Sequence, residues 1–475
     1  MSTPLATSFL QDPDFIRIAY IFAFALFIIG LRFLNKPSTA RRGNIVAAVG
    51  MTIAFVATLL DQEIGDWGLI VLGLAIGTVI GVPAARKVKM TAMPQMVALF
   101  NGVGGGAVAL ISFVEYRSEL DTLAENPPLE ILVPILFAAI VGSISFWGSN
   151  IAFAKLQELL PGRPIQVPGQ QFVNLGLLLV AVGAAIAIAA GAESEGLFLL
   201  ILLAAAILGN MVVLPIGGAD MPVVISLLNA LTGLSAAAAG VALDNTALIV
   251  GGMIVGASGT ILTNLMAEAM NRSIPNIVAG GFGGGAPSGA DGPSLAEGQT
   301  VRSTSAADAA IQLSYASQVV VVPGYGLAVA QAQHAVRELA DELEKRGVEV
   351  KYAIHPVAGR MPGHMNVLLA EADVPYDQLK EMDEINPEFP RTDVSLVIGA
   401  NDVTNPAAKN NADSPIYGMP ILEVNESEST IVIKRSMNPG FAGIENELYY
   451  DPKTQMLFGD AKDAVGEITQ EVQAL

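Results

Sequence analysis

The chain has 475 residues, of which 52% are hydrophobic and 15% charged. This length excludes one ordinary soluble core, and the high hydrophobic content indicates that part of the chain lies in lipid. The absence of cysteine excludes disulfides, thiol redox chemistry and thiolate metal sites. The net charge of -19 is uneven: residues 1–275 carry 12 Lys and Arg against 16 Asp and Glu, whereas residues 276–475 carry 13 against 28. Because an acidic domain repels phosphate backbones, nucleic acid is not an expected partner.

Nine apolar stretches fill the first 275 residues, each about as long as a helix that crosses a ~30 Å hydrocarbon core. They lie near residues 15–34, 43–60, 67–85, 93–114, 131–154, 172–192, 196–216, 221–243 and 246–268. We therefore predict an all-α polytopic membrane bundle over residues 1–275. Glycines at every fourth position predict close helix packing, at Gly73, Gly77 and Gly81, at Gly102 and Gly106, and at Gly252 and Gly256.

Basic and acidic loops alternate between these stretches. Lys and Arg follow the first, third, fifth and ninth stretches, and loops with Asp and Glu separate them. Because basic loops stay in the cytosol, we expect the N-terminus outside and the C-terminal domain in the cytosol of a bacterial cell with this chain in its inner membrane. Residues 1–14 lack a basic segment and contain two aspartates, so no cleavable signal peptide is expected.

Polar residues within the stretches are candidates for a proton or ion path, because they are costly in lipid. Asn101 and Asn229 each lie about 12 to 13 Å along a helix from the cytosolic side and can reach a similar depth. The alternative is that these amides only hold helices together. Asp220 falls at the cytosolic mouth of the eighth stretch, where it can respond to the soluble domain or simply cap the helix before Pro222.

The rest of the chain predicts a linker and a second domain. Residues 276–305 are rich in Gly, Ser and Pro, a composition typical of a flexible linker. Residues 306–475 alternate apolar β-branched runs with helical stretches, a pattern that predicts an α/β Rossmann-like domain with a parallel sheet. The runs lie at 318–322, 348–354, 394–398, 421–424 and 430–433, and the helices at 327–345 and after residue 460.

A glycine fingerprint follows the first of these runs. Gly324 and Gly326 lie between a predicted strand and a predicted helix, which is the context that a dinucleotide-binding turn requires. Such glycines let the backbone turn tightly and approach a pyrophosphate at a helix N-terminus. Val329 replaces the third glycine, so a tight turn without a ligand is the alternative.

Two further features favour NADP(H) over NAD(H). The second strand ends at Ile354-His355-Pro356 without the carboxylate that usually binds the ribose of NAD. Lys434 and Arg435 follow another strand in this acidic domain, and paired basic side chains suit a 2'-phosphate. The alternative is a basic pair that balances nearby acids. His355 and His364 lack the company of a metal site, and no metal is expected.

Several unbroken motifs along the whole chain resemble the β subunit of the proton-translocating NAD(P) transhydrogenases. They are Gly217-Gly-Ala-Asp-Met-Pro-Val-Val, Met270-Asn-Arg-Ser, Pro323-Gly-Tyr-Gly, the run from His355 to Ala372, Gly399-Ala-Asn-Asp-Val-Thr-Asn-Pro-Ala, Lys434-Arg-Ser-Met and Met456-Leu-Phe-Gly-Asp-Ala. The resemblance implies a Si/Re-specific enzyme in which hydride passes reversibly between NAD(H) on a partner α subunit and NADP(H) on this chain, coupled to proton movement. It also implies a dimer of the complex and a nucleotide bound in reversed orientation.

By position, the resemblance places the NADP(H) contacts on the glycine turn and on five later segments. They are Gly324, Tyr325, Gly326, Val357, Ala358, Gly359, Arg360, Met361, Pro362, Gly399, Ala400, Asn401, Asp402, Val403, Gly418, Met419, Lys434, Arg435, Ser436, Met437, Asn438, Pro439, Gly440, Phe441, Asp460 and Ala461. The proton path is expected at Asp220, Asn229 and Asn101. Many relatives have a histidine where this chain has Asn101, and an amide does not titrate. The proton-carrying imidazole is therefore either absent or supplied by another chain.

Two other functions are compatible with a membrane domain joined to a nucleotide site. The first is a transporter or channel gated by the redox state of NADP, with the soluble domain as sensor. The second is a membrane NADPH:quinone reductase, which is disfavoured because the sequence contains no flavin motif or iron–sulfur ligation.

Overall fold

In the computed structural model of the chain, an N-terminal set of long helices is followed by an α/β domain. The structure describes residues 9–34, 36–61, 64–122, 128–157, 159–161, 164–217, 220–270, 273–275, 277, 300–359, 363–412, 414, 416–440 and 442–475. Most of the predicted linker at 276–305 therefore lies outside the described residues.

Within these ranges, nine helices are long and apolar enough to cross a membrane. They are α1 (Pro13–Leu34), α2 (Pro37–Leu59), α3 (Trp67–Lys87), α4 (Met93–Thr122), α5 (Leu129–Leu156), α6 (Gln170–Ala189), α7 (Glu195–Val213), α8 (Met221–Ala242) and α9 (Thr246–Ala269). Each coincides with one predicted stretch, so this part of the prediction is confirmed. The agreement follows from the lipid, which requires long apolar segments with internal backbone hydrogen bonds.

Small residues let the central helices pack closely. A Cβ at Gly105 of α4 would lie 2.9 Å from the carbonyl oxygen of Gly142 in α5, and one at Gly252 of α9 would lie 2.5 Å from that of Gly233 in α8. Gly102, Gly106 and Gly256 also face close neighbours, as predicted. The same prediction is wrong for α3 within this chain. It has no buried residue among those described, and no described atom lies within 4 Å of a Cβ built at Gly73, Gly77 or Gly81.

The C-terminal domain contains one six-stranded sheet in the order β3-β2-β1-β4-β5-β6, with every neighbouring pair parallel. Its strands are β1 (Gln318–Pro323), β2 (Glu349–Ile354), β3 (Leu379–Glu381), β4 (Val394–Ile398), β5 (Ser429–Lys434) and β6 (Thr454–Phe458). The predicted α/β class and parallel sheet are confirmed. The predicted run at 421–424 is not a strand, because its apolar side chains are buried in a loop that ends in a 3₁₀ turn at Val424–Glu426.

Helices and loops cover both faces of the sheet. The helices are α10 (Ala306–Ser314), α11 (Tyr325–Ala330), α12 (Gln333–Lys345), α13 (His364–Glu371), α14 (Met382–Ile385), α15 (Ala407–Asn410) and α16 (Ala461–Ala474). One face of the sheet packs against α10, α12, α13 and α16, and the other packs against α14, the 421–424 loop and Tyr449. Burial on both faces explains why β1 is an unbroken apolar run.

Two local features differ from the prediction. The single helix predicted at 327–345 is two helices, because Gln331 adopts a left-handed conformation with φ of +51° between α11 and α12. Residues Arg302 and Thr304 already form backbone hydrogen bonds with Met456 of β6, before the predicted start of the domain at residue 306.

Candidate nucleotide site and membrane polar cluster

The strand order reverses between β1 and β4, which is where open parallel sheets bind ligands. The glycines at this point are required sterically. A Cβ at Gly324 would lie 2.4 Å from Ala400 Cα, and one at Gly399 would lie 2.4 Å from Gly326 Cα. Gly399 also has a φ of +67°, a left-handed conformation that favours glycine. The predicted tight turn is therefore present, and it packs directly against the loop after β4.

A crevice of about 690 Å³, which we call the switch-point crevice, opens at this end of the sheet. It brings together the loops that follow β1, β2, β4, β5 and β6, as expected where parallel strands end at one edge. The sequence-predicted residues that line it are Gly324, Tyr325, Gly326, Val357, Ala358, Gly359, Gly399, Ala400, Asn401, Asp402, Val403, Met419, Lys434, Arg435, Ser436, Asn438, Pro439, Gly440, Asp460 and Ala461.

The remaining predicted contacts are placed differently. Gly418 and Met437 are not among the described residues that line the crevice, and Met437 instead packs partly buried against the sheet. Arg360, Met361, Pro362 and Phe441 lie outside the described residues.

The membrane helices contribute to the crevice as well. Asp220 lines it together with Pro222 of α8, Met266 of α9 and Met270 just after α9. The sequence predicted that Asp220 faces the soluble domain. It did not identify Pro222, Met266 and Met270, because an apolar residue at a helix end does not indicate that another domain packs against it. Val329, Ala330, Ile416, Ile433, Ala442 and Gly459 were also missed as lining residues.

Lys434, at the end of β5, is the half-buried cation of the crevice. Its ammonium donates to the carbonyl of Asn438 at 2.5 Å and lies 4.8 Å from the centre of the Tyr449 ring. With its amide oxygen turned toward the crevice, Asn401 accepts from Gly440 N at 2.8 Å and from Lys434 Nζ at 3.2 Å. Burial lowers the pKa of Lys434, and the nearby Asp402 carboxylate opposes that shift. An anion in the crevice would stabilise the charged form further.

Asp402 holds the loop that follows β5. Its Oδ2 accepts a hydrogen bond from the backbone N–H of Ala442 at 3.0 Å. A Cβ at Gly440 would lie 2.6 Å from Oδ1 of the same carboxylate, so the glycine allows the loop to come this close. The loop over Lys434 is thus attached to the loop after β4 through one carboxylate.

His355, directly after β2, is buried and connects the loop after β2 to the segment at Pro420 by hydrogen bonds. The backbone N–H of Val357 donates to its Nδ1 at 3.2 Å, so the proton is on Nε2, which donates to the carbonyl of Pro420 at 2.8 Å. Burial lowers the pKa of His355 from 6.5 to about 4, although the hydrogen bond to Pro420 opposes the shift. The imidazole is therefore neutral near pH 7.

These residues fit a phosphorylated dinucleotide. The volume lies within the ~300 to 1,000 Å³ that is usual for ligand sites. Gly324 and Gly326 allow close backbone approach, and Lys434, Arg435 and Ser436 form a group of donors at the end of β5. Arg435 and Ser436 are exposed, which leaves their polar atoms available to a phosphate.

A second polar group lies among the membrane helices. Asn101 of α4 donates through Nδ2 to Ser149 Oγ at 2.8 Å and to Ser145 Oγ at 3.3 Å, both in α5. Ser145 is in turn hydrogen-bonded to Thr232 of α8. We call these four residues the Asn101 cluster. Asn229, by contrast, is exposed on α8. The two amides are therefore not brought together, and Asn229 faces the surroundings of this chain.

Asp220 precedes α8 by one residue, at the position of a helix cap. Within the described part of the chain, its side chain makes no capping hydrogen bond. The simple capping alternative is thus not seen, and the carboxylate is placed between the membrane helices and the loops of the switch-point crevice.

Comparison with known proteins gives one consistent result. A family model described as "NAD(P) transhydrogenase beta subunit" matches residues 16–471. Two similar proteins, from Rhodospirillum rubrum and from a designated strain of that species, are both named "NAD(P) transhydrogenase subunit beta". Each is 50% identical over 455 residues, which cover 95% of this chain and 98% of the relative.

Proposed function

The chain belongs to the NAD(P) transhydrogenase beta subunit family, and from that premise we propose that it binds NADP(H) in the switch-point crevice. We further propose that hydride passes reversibly between this nucleotide and NAD(H) on a partner alpha subunit, coupled to proton movement across the membrane. The observation that carries the proposal is the switch-point crevice, which is lined both by the glycine turn and Lys434 and by Asp220 at the start of a membrane helix.

The residues of this chain bind and orient the nucleotide rather than perform acid or base chemistry. When bound, NADP(H) supplies or accepts the hydride through its nicotinamide ring. Lys434, Arg435 and Ser436 hold the 2'-phosphate, and the Gly324–Gly326 turn accommodates the pyrophosphate. The loop attached through Asp402 covers the site and limits the access of water. Proximity to the second nicotinamide then accounts for the transfer.

The membrane part supplies the proton path. The Asn101 cluster joins α4, α5 and α8 with groups that order water but carry no charge. Because a path through hydrocarbon needs a group that titrates near neutral pH, we propose that a membrane helix of the alpha subunit brings a histidine to this level. The exposed position of Asn229 supports this proposal, since that amide is available to a helix from another chain.

We also propose the arrangement in the cell. The basic loops favour a cytosolic α/β domain and an N-terminus outside, with the chain in the inner membrane of a bacterium. Residues 1–275 form the membrane channel, 276–305 the linker and 306–475 the NADP(H) domain, and two copies of the complex form a dimer.

Reduction of an NAD analogue by NADPH, in vesicles that contain this chain with its alpha partner, tests the function. We expect transfer that acidifies or alkalinises the vesicle lumen and that accelerates when an uncoupler is added. Transfer without pH change would contradict the proton coupling. Proton movement that responds to NADP redox state without hydride transfer would instead support a nucleotide-gated channel.

A further inference from the structure

A second crevice, of about 300 Å³, lies where the α/β domain meets the membrane helices. Its walls are formed by Thr91 and Gln95 from α4 and the turn before it, by Leu156 and Gln157 at the end of α5, and by Tyr325 and Val329 of α11. We call it the Gln95 crevice. The function proposed above makes no use of it.

Gln95 gives this crevice a polar wall. The residue is 7% exposed, and its Nε2 donates to the carbonyl of Leu156 at 3.1 Å. Its Oε1 is buried and accepts no hydrogen bond from any described group. A buried acceptor without a donor is costly, and ordered water commonly supplies the missing bond. The crevice is large enough for several waters, so the amide marks it as a hydrated space.

Helix α11 separates the two crevices. Tyr325 and Val329 line both of them. The helix begins directly after Gly324, whose contact with Ala400 leaves no room for even a methyl group. Helix α11 therefore connects the glycine turn to the wall of the Gln95 crevice.

Gln95 and the Asn101 cluster both lie at the contact between α4 and α5, because Gln95 and Asn101 each hydrogen-bond to α5. Gln95 and Asn101 are six residues apart on α4, which is about 9 Å along the helix axis. Ala98 on α4 and Ala152 on α5 are fully buried in this region, in an apolar core that also contains Leu156 and Leu228. Gln95 is thus about 9 Å along α4 from the amide of the cluster, with buried apolar side chains between them.

We propose that the Gln95 crevice is a hydrated port to the Asn101 cluster and that α11 opens and closes it according to the nucleotide in the switch-point crevice. The inference rests on the proposed function, because it requires a nucleotide in one crevice and a proton path at the other. It assigns Gln95 a positioning role, in which its amide orders the water at the inner end of the port.

Thiol labelling tests the port without measuring proton movement. The chain has no cysteine, so Gln95→Cys gives it a single thiol. In the purified complex with the alpha partner, a sulfonated methanethiosulfonate is expected to label this thiol. We expect the labelling rate to differ roughly fivefold or more between the NADPH-bound and nucleotide-free states, as for typical coupling between sites. If Gln95→Cys fails to assemble with the alpha partner, the same labelling is measured on Thr91→Cys, which also lines the Gln95 crevice.

Gln170 provides a matched control. It is also a buried glutamine, 4% exposed, whose Nε2 is bonded to the carbonyl of Met211, but its Oε1 accepts from Val167 N and it lines neither crevice. Gln170→Cys is expected to stay unlabelled in every state. A thiol at position 95 that never reacts, or reacts equally with and without NADPH, would overturn the proposal. Either labelling result would leave NADPH binding and pumping by the wild-type protein unchanged. If the wild-type protein instead failed to bind NADPH or to pump protons, the proposed function itself would be refuted.

Gln95→Leu provides a second readout. Leucine is similar in size but cannot order water, so proton movement per hydride transferred should fall while NADPH affinity is unchanged. Gln170→Leu should leave that ratio unaltered. An unchanged ratio in Gln95→Leu would contradict the positioning role.

Discussion

At the level of single residues, we propose that Lys434 selects NADP(H) over NAD(H). Its ammonium lies in the switch-point crevice, where it contacts the carbonyl of Asn438 and the ring of Tyr449 and is near the Asp402 carboxylate. Lys434→Ala removes charge assistance to a 2'-phosphate, so we expect NADPH binding to weaken by about 1.5 to 3 kcal/mol and NADH binding to change far less. Titration calorimetry on the fragment of residues 300–475, which lacks the partner's NAD(H) site, measures both affinities.

Lys453 is the control for that substitution. Its ammonium also donates to a backbone carbonyl, that of Ser427, but it does not line the crevice. Lys453→Ala should leave both affinities unchanged. Equal losses of NADPH and NADH binding in Lys434→Ala would remove the phosphate role from this residue.

His355 predicts a pH dependence of stability. Because its folded-state pKa is lowered to about 4, the unfolded chain takes up a proton near pH 6.5 while the folded chain does not. The free energy of unfolding should therefore fall as pH drops from about 6.5 to 4, by as much as about 3 kcal/mol from this residue. Urea unfolding of a fragment of residues 300–475, which contains both cores of the sheet, measures the change.

His355→Gln isolates the contribution of the imidazole. Glutamine keeps a donor for the carbonyl of Pro420 but does not titrate, so the pH dependence in this window should become shallower. An identical dependence in the variant and the wild type would mean that other groups cause it.

At the level of elements, the contact between the β1 and β4 turns is the most constrained part of the site. Gly399→Ala places a methyl group 2.4 Å from Gly326 Cα in a residue with φ of +67°. Gly347 also has a left-handed backbone, with φ of +87°, so Gly347→Ala should lose a similar conformational free energy of about 1 to 2 kcal/mol. No described atom, however, lies within 4 Å of its new methyl group. We expect the first variant to lose NADPH binding and the second to retain it. Retained binding in Gly399→Ala would show that the turns can separate.

Most elements could be predicted because their burial is simple. Lipid requires the nine long apolar helices of the described residues, and burial on both faces makes β1, β4 and β5 mostly apolar. β2 carries Glu349 and Lys351 near its start and is apolar only toward its end. The edge strands β3 and β6 were missed, since Leu379–Glu381 is short and charged and Thr454–Phe458 is mixed. The run at 421–424 was wrongly predicted as a strand, because the side chains of a buried loop are apolar for the same reason as those of a buried strand.

At the level of the whole molecule, the candidate site could be predicted only where a motif marks it. The glycine turn and the segment at Lys434 were found from the sequence. The contributions of Met266 and Met270 and the shared wall of α11 depend on how the two domains meet, which local patterns do not encode. The outward direction of Asn229 likewise depends on the packing of α8.

The uncharged Asn101 cluster predicts a contribution from the partner. Replacing the proposed membrane histidine of the alpha subunit should stop both pumping and hydride transfer in the reverse direction, because no group in the cluster titrates near pH 7. Asn101→His in this chain should partly restore both. Vesicle assays of pumping measure the effect, and normal pumping after every membrane histidine of the partner is replaced would contradict the proposal.

Asp220→Asn tests the central claim, that the nucleotide crevice is coupled to proton movement through Asp220, which lines the crevice at the start of α8. Proton movement and hydride transfer are measured in the same vesicles, with Asp244→Asn at the other end of α8 as the control. We predict that Asp220→Asn abolishes proton movement, that Asp244→Asn does not, and that the fragment 300–475, which lacks Asp220, still binds NADPH. Unimpaired proton movement in Asp220→Asn would contradict the account.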